Sequence, residues 1–156
     1  MKTQIKNQPT IFTIFGGTGD LAARKLIPAL YNLYLDGFMP EEFAIVGLGR
    51  TQYTDDQFRE TLLDGINKFS RSGKAKADKW EVFSKNILYL QSDAKQEKTY
   101  TDLKKIIQER DEIWSEPATV VHYLAVAPQF FPIISSNIAK IDDEGPKERH
   151  RVVIEK

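Results

Sequence analysis

The chain has 156 residues, of which 41% are apolar and 28% charged, a composition that suits one folded domain with a hydrophobic core. Its 22 basic residues balance 22 acidic ones, so the zero net charge gives no reason to expect nucleic acid or an anionic membrane as a partner. There is no cysteine, which excludes disulfides and thiolate metal sites, and no apolar run approaches the roughly 18 residues of a membrane span.

The first element is a strand followed by a glycine-rich turn. The apolar, β-branched run 11–15 indicates a buried strand, and it leads directly into Gly16, Gly17 and Gly19 and then into a helix-forming segment. Glycines permit a sharp turn and the close approach of a diphosphate, while the unpaired amides and the dipole of the helix N-terminus favour an anion. Ala22 stands where the GxGxxG pattern has its third glycine, so a glycine-rich turn without a ligand stays an alternative.

The helix after this turn is predicted to be irregular. Leu21, Leu26, Leu30 and Leu33 recur near helical spacing, and Pro28 interrupts them. Proline lacks an amide hydrogen and crowds the carbonyl group four residues earlier, so we expect a kink or a break at this point.

A second buried strand is predicted over residues 43–49, and Arg50 follows it. In doubly wound sheets this position faces the adenosine ribose, where NAD-binding proteins usually carry a carboxylate. Here the first carboxylate is Asp55, and a guanidinium suits a 2′-phosphate, so the pattern favours NADP. A solvated surface arginine is the alternative, and Gly19 lies farther from Arg50 than the usual spacing of about 20 residues.

The rest of the chain alternates helices and strands. Helical patterns cover residues 54–69, 80–83, 99–114 and 129–141, and strand patterns cover 87–90, 119–126 and 151–154. Two apolar stripes are expected to face the core: Phe58, Leu62, Ile66 and Phe69, then Leu103, Ile106, Ile107 and Ile113. This order predicts an α/β fold, a Rossmann-like, doubly wound parallel sheet of about five strands with helices on both faces.

Two polar residues, Asp93 and His122, lie at or after later strands, and each allows more than one interpretation. Asp93 and Ala94 follow the third strand, where a loop commonly borders the adenine, but Asp93 fits a turn or a helix cap equally well. His122 lies within the fourth strand, where we expect a structural histidine rather than a catalytic one.

Residues 16–28, GGTGDLAARKLIP, closely resemble the opening motif of the glucose-6-phosphate dehydrogenase family. Residues 43–47 with Arg50, residues 123–128 and residues 151–156 match the same family in order and spacing, so the resemblance covers nearly the whole chain from Pro9. It implies an oxidoreductase of glucose metabolism that converts glucose 6-phosphate to the phosphogluconolactone with NADP, the entry step of the pentose phosphate pathway.

The resemblance also implies which residues form the site. The turn is expected to hold the pyrophosphate: Gly16, Gly17, Thr18, Gly19, Asp20, Leu21 and Ala22. Thr18 and Arg50 are expected at the 2′-phosphate, and Ala127 and Pro128 at the nicotinamide side. Two lysines match family lysines at the sugar phosphate and the cofactor: Lys25 and Lys156.

In the family, the catalytic base is a histidine held by an aspartate, and the resemblance places it beyond residue 156. The sheet-containing domain that forms the family's subunit contacts is expected there too. We therefore expect residues 1–156 to be one NADP-binding domain of a truncated chain, monomeric, free of metal and unable to turn over the sugar. The whole enzyme is expected to be cytoplasmic and homo-oligomeric, without nucleic acid or membrane partners. Two alternatives stay open, a non-catalytic NADP-binding sensor module and another NADP-dependent sugar dehydrogenase.

Overall fold

The first strand lies at the centre of a five-stranded sheet. The computed structural model describes residues 8–142 and 144–155. Its strands, in chain order, are β1 (Thr10–Phe15), β2 (Phe43–Gly49), β3 (Ile87–Gln91), β4 (Thr119–Leu124) and β5 (His150–Ile154). The sheet order is β3-β2-β1-β4-β5 and all four pairings are parallel. The parallel α/β fold predicted from the sequence is therefore confirmed.

Helices cover both faces of this sheet. The α-helices, in chain order, are α1 (Ile27–Leu35), α2 (Asp55–Phe69), α3 (Ala77–Ser84), α4 (Glu97–Trp114) and α5 (Phe131–Ala139). Ile11 of β1 belongs to the core that α4 and α5 cover, whereas Ile14 belongs to the core that α1, α2 and α3 cover. This division follows from the alternation of side chains along a strand. None of the helices in the described ranges is long and apolar enough to cross a membrane.

The irregularity expected at Pro28 takes the form of a π-helical segment, Ala22–Leu26, that runs directly into α1. The Ile27 amide donates to the Ala22 carbonyl, five residues back, and both Leu26 and Ile27 keep right-handed helical angles. The helix is therefore widened before the proline rather than broken at it. A wider turn adds one residue and relieves the missing donor at Pro28 without ending the helix.

Two side chains of the predicted apolar stripes face solvent instead of the core, and so does Leu33 of α1. Leu33 is 43% exposed, Phe69 is 42% exposed and Ile113 is 63% exposed. The buried residues of α1 are Ile27, Pro28, Tyr31 and Asn32, so Leu33 lies outside the buried face of this helix. Phe69 and Ile113 lie in the last turns of α2 and α4, beyond the buried residues of those helices.

The end of β4 differs from the prediction in a way that shapes the site. The strand stops at Leu124, two residues before the predicted end, and residues 125–127 form a loop. A 3₁₀ turn, Pro128–Phe130, then leads into α5. This loop and turn form one wall of the cleft described next.

Candidate nucleotide-binding site

A cleft opens at the carboxyl ends of the central strands. Its cavity volume is about 460 Å³. Its lining comes from the segments that follow four strands: Gly16, Thr18 and Gly19, then Arg50 and Thr51, then residues 92–95, then Val126 and Phe130. The connection after β1 runs toward β2, whereas the connection after the neighbouring β4 runs the other way, toward β5. Doubly wound proteins bind ligands at this kind of topological switch point.

The turn after β1 fits tightly between its neighbours. Gly16 has a φ of +84°, and a Cβ on it would collide with the Ala125 carbonyl oxygen. A Cβ on Gly17 would lie 2.8 Å from the Gly47 Cα. The amides of Gly16 and Gly17 both donate to the Leu48 carbonyl, at 3.0 and 2.9 Å. These two glycines are therefore required for packing, and their amides are already used within the protein.

The helix that follows the turn has its amino end at the cleft. Its first helical bond runs from the Ala23 amide to the Gly19 carbonyl, at 3.2 Å, so the amides of residues 20–22 precede the helical ladder. Such amides favour an anion, together with the helix dipole. Asp20 is already paired with Arg24, whose Nε lies 2.7 Å from the Asp20 Oδ1. Ala22 is fully buried in the core.

The segment after β2 is held against β3. The Tyr89 hydroxyl donates to the Thr51 carbonyl at 2.6 Å, and the Ser92 amide donates to the Gly49 carbonyl at 2.7 Å. Burial raises the pKa of Tyr89, which favours the protonated hydroxyl that donates in this bond. The Arg50 backbone is therefore fixed between two anchored neighbours, while its side chain is exposed at the rim of the cleft.

The loop after β3 is fastened to the first turns of α4. The Asp93 Oδ1 accepts from the Lys95 amide at 2.9 Å, and the Asp93 carbonyl accepts from the Thr99 hydroxyl at 2.6 Å. The Tyr100 hydroxyl donates to the Ala94 carbonyl at 2.7 Å, and burial raises the pKa of Tyr100 to about 12. Asp93 is thus a turn residue that also lines the cleft, and its place beside the adenine stays a prediction.

The cleft lining includes only part of the predicted set. It contains Gly16, Thr18, Gly19, Arg50, Asp93 and Ala94. Seven other predicted residues lie outside the lining: Gly17, Asp20, Leu21, Ala22, Lys25, Ala127 and Pro128. Lys156 lies outside the described residues. The ligand contacts assigned to all of these residues stay predictions.

Several lining residues were missed by the sequence reasoning. Thr51, Ser92, Lys95, Val126 and Phe130 all line the cleft. For Thr51, Ser92 and Lys95, the position just after a predicted strand was the available signal, because the segments after parallel strands meet at one edge of the sheet. Val126 and Phe130 fell within a predicted strand and a predicted helix, so no such signal existed for them. Among the described residues, no group of three or more histidine, aspartate or glutamate side chains could hold a metal ion.

His122 is a buried structural residue, as predicted. Its Nδ1 lies 2.7 Å from the Thr13 hydroxyl, and its Nε2 lies 2.9 Å from the Nδ1 of His150. The side chain is 0% exposed, and neither histidine lines the cleft. This polar cluster joins β1, β4 and β5 across the sheet.

The parallel sheet order and the cleft over its switch point define a doubly wound nucleotide-binding domain. The sequence model described as glucose-6-phosphate dehydrogenase, NAD binding domain, matches residues 13–156. The chain belongs to this family, whose ligand class is a nicotinamide dinucleotide.

Individual relatives agree with this assignment. Glucose-6-phosphate 1-dehydrogenase of Rhizobium meliloti is 36% identical over 149 residues, covering 96% of this chain and 29% of that protein. The enzyme of Leuconostoc mesenteroides is 35% identical over 156 residues, covering 100% of this chain and 31% of that protein. The chain therefore spans about 30% of the length of these relatives.

Solved structures show the same likeness. A glucose-6-phosphate dehydrogenase in complex with its substrate glucose-6-phosphate superposes with a TM-score of 0.81 at 26% identity, over 95% of this chain and 30% of that one. The enzyme from Mycobacterium avium superposes with a TM-score of 0.78 at 27% identity, with the same coverage of both chains.

Proposed function

We propose that this chain is the NADP-binding part of a glucose-6-phosphate 1-dehydrogenase, an enzyme that oxidises glucose 6-phosphate to 6-phosphoglucono-lactone. The observation that carries the proposal is the cleft in which Arg50 lies on the same rim as the turn formed by Gly16, Thr18 and Gly19. The helix amino end after this turn suits a pyrophosphate, and the guanidinium suits a further phosphate. NADP, when bound, supplies the hydride acceptor.

The choice of NADP over NAD rests on the groups available near Arg50. A ribose 2′-hydroxyl needs a carboxylate acceptor, and two carboxylates are candidates: Asp55, the nearest in sequence, and Asp93, which lines the cleft. Both already accept a backbone hydrogen bond. The Asp55 Oδ1 accepts from the Tyr89 amide at 2.8 Å, and the Asp93 Oδ1 accepts from the Lys95 amide at 2.9 Å. Arg50 has no side-chain ion pair among the described residues, so its guanidinium is available to a 2′-phosphate.

The substitution Arg50→Gln tests this proposal. A charge-assisted bond contributes about 1.5–3 kcal/mol, so we expect NADP affinity to fall by about ten- to a hundredfold while NAD affinity stays within about twofold. The measurement is calorimetric titration of the 156-residue chain with each nucleotide. Arg151→Gln is the matched control, since Arg151 is exposed on β5 and does not line the cleft. Equal losses of affinity for NADP and NAD would show that Arg50 does not bind the 2′-phosphate.

The proton of the sugar hydroxyl needs an acceptor, because hydride leaves the same carbon. His122 and His150 are hydrogen-bonded to each other, and neither lines the cleft. We infer that the acceptor belongs to a part of the whole enzyme other than these 156 residues. The chain alone is then expected to bind NADP and show no NADPH formation with glucose 6-phosphate.

The sugar itself is part of this proposal. It is supported by the substrate in the solved relative, glucose-6-phosphate. Lys25 and Lys156 are the residues proposed to contact its phosphate, on the family resemblance. A cytoplasmic location and a homo-oligomeric whole enzyme are proposed on the same ground.

A further inference from the structure

Lys95 extends from one wall of the cleft toward the other. It belongs to the loop after β3, and its Nζ lies 5.7 Å from the centre of the Phe130 ring, in the 3₁₀ turn after β4. In the sheet, β2 and β1 separate β3 from β4. The contact therefore passes over the carboxyl ends of β2 and β1, where the glycine turn lies.

The backbone of Lys95 is anchored while its charge is not neutralised. The Lys95 amide donates to the Asp93 Oδ1 at 2.9 Å, so this neighbouring carboxylate is engaged by the backbone. Within residues 8–142 and 144–155, the six ion pairs do not include Lys95. Lys98, three residues on, is paired with Asp102 at 2.7 Å. Lys95 thus carries an available positive charge at the cleft.

The position of Lys95 separates it from the 2′-phosphate end. A smaller cavity of about 260 Å³ beside Arg50 is lined by Gln91, Ser92, Asp93 and Gln96 but not by Lys95. The main cleft contains Lys95, Arg50 and the glycine turn, so Arg50 lines both cavities and Lys95 only the main one. The geometry therefore relates Lys95 to the centre of a bound dinucleotide and Arg50 to its adenosine end.

Resting on the proposed nucleotide function, we propose that Lys95 is an additional binding residue for the pyrophosphate, the part that NADP and NAD share. An exposed cation–π contact is weak, whereas an ammonium–phosphate bond is charge-assisted and stronger. Nucleotide entry therefore draws the ammonium from the Phe130 ring to the phosphates. The Phe130 ring thus keeps the Lys95 ammonium at the cleft when no nucleotide is bound, and the ammonium leaves the ring when it binds the phosphates.

The substitution Lys95→Gln tests this role in the 156-residue chain, with NADP, NAD and 2′-AMP as probes. We expect about a tenfold loss of affinity for both dinucleotides with an unchanged ratio between them, and no change for 2′-AMP, which lacks a pyrophosphate. The salt dependence of dinucleotide binding should also become weaker. Lys95→Arg should retain binding, and Lys98→Gln is the control for loss of one charge on the same segment. Thermal melting of each variant checks its fold.

Unchanged dinucleotide affinity in Lys95→Gln would overturn this role while leaving the NADP proposal in place. A loss confined to NADP and 2′-AMP would overturn it as well, because it would assign Lys95 to the 2′-phosphate. If the unsubstituted chain bound neither dinucleotide, the proposed function would fail together with this inference.

Discussion

Gly16 and Gly19 belong to the same turn but have different requirements for a missing side chain. At Gly16, the positive φ and the Ala125 carbonyl leave no space for a Cβ. At Gly19, a Cβ would have the Gly16 carbonyl oxygen as its nearest neighbour, at 3.2 Å, and the residue lines the cleft. The first glycine is therefore required by the fold, whereas the second lines the cleft and has more space around it.

This difference predicts opposite outcomes for two substitutions. Gly16→Ala should lower the free energy of unfolding by at least about 2 kcal/mol, because it adds a left-handed backbone strain to a collision. Gly19→Val should abolish NADP binding with a much smaller loss of stability, because its branched side chain enters the cleft. Urea denaturation and NADP titration measure the two effects. Unaltered NADP binding in Gly19→Val would refute the assignment of the turn.

Among the elements, the loop after β3 depends on α4 for its shape. Tyr100, in the first turns of α4, donates to the Ala94 carbonyl and stacks on Phe15 at 6.3 Å between ring centres. Phe15 ends β1 and lines the cleft. A single buried tyrosine therefore connects the loop that carries Asp93 and Lys95 to the central strand.

Tyr100→Phe tests this connection through the pH dependence of stability. The pKa of Tyr100 is raised from 10.0 to about 12, so the stability it contributes is complete below pH 10 and is lost as the pH rises toward 12. The variant should lose about 1 kcal/mol at pH 8, and its stability should fall less steeply between pH 10 and about pH 11. Tyr34→Phe is the control, since within the described residues the Tyr34 hydroxyl forms no hydrogen bond with another protein group. Parallel curves for Tyr100→Phe and the unsubstituted chain would contradict the expectation.

For the whole molecule, the carboxyl and amino ends of the strands form two different edges of the sheet, and each edge carries a different feature. The cleft lies at the carboxyl ends of the strands, whereas a buried ion pair lies at the amino ends. The Arg149 Nη1 lies 2.8 Å from the Asp111 Oδ2, and the Asp111 Oδ1 accepts from the Ala118 amide at 2.9 Å. These contacts join the entries to β4 and β5 to the end of α4.

Asp111→Ala should therefore reduce stability without changing nucleotide affinity. The Arg149 side chain is only 4% exposed, and removing the partner of a buried charge costs about 3 kcal/mol. Glu81→Ala, which removes an exposed pair with Lys85, should change stability by less than about 0.5 kcal/mol. Urea denaturation and NADP titration provide the comparison. A large loss of affinity in a folded Asp111→Ala protein would show that the two edges are coupled.

The sequence by itself determined the features that depend on neighbouring residues. Apolar runs and helical spacing predicted all five strands and the alternation of strand and helix, and the glycine turn was predicted with Arg50 after the second strand. The motif of residues 16–28 also pointed to the correct family. Local patterns carry this information because strand burial, helix periodicity and turn type each depend on the residue types at neighbouring positions in the chain.

Only the tertiary structure decided which distant residues meet. The need for glycine at position 16 comes from the Ala125 carbonyl, and the neighbour of the Lys95 ammonium is Phe130. The exposure of Leu33 likewise depends on which face of α1 packs against α2 and α3. Strand order and register bring these groups together through hydrogen bonds between segments far apart in the chain, and no local pattern specifies them.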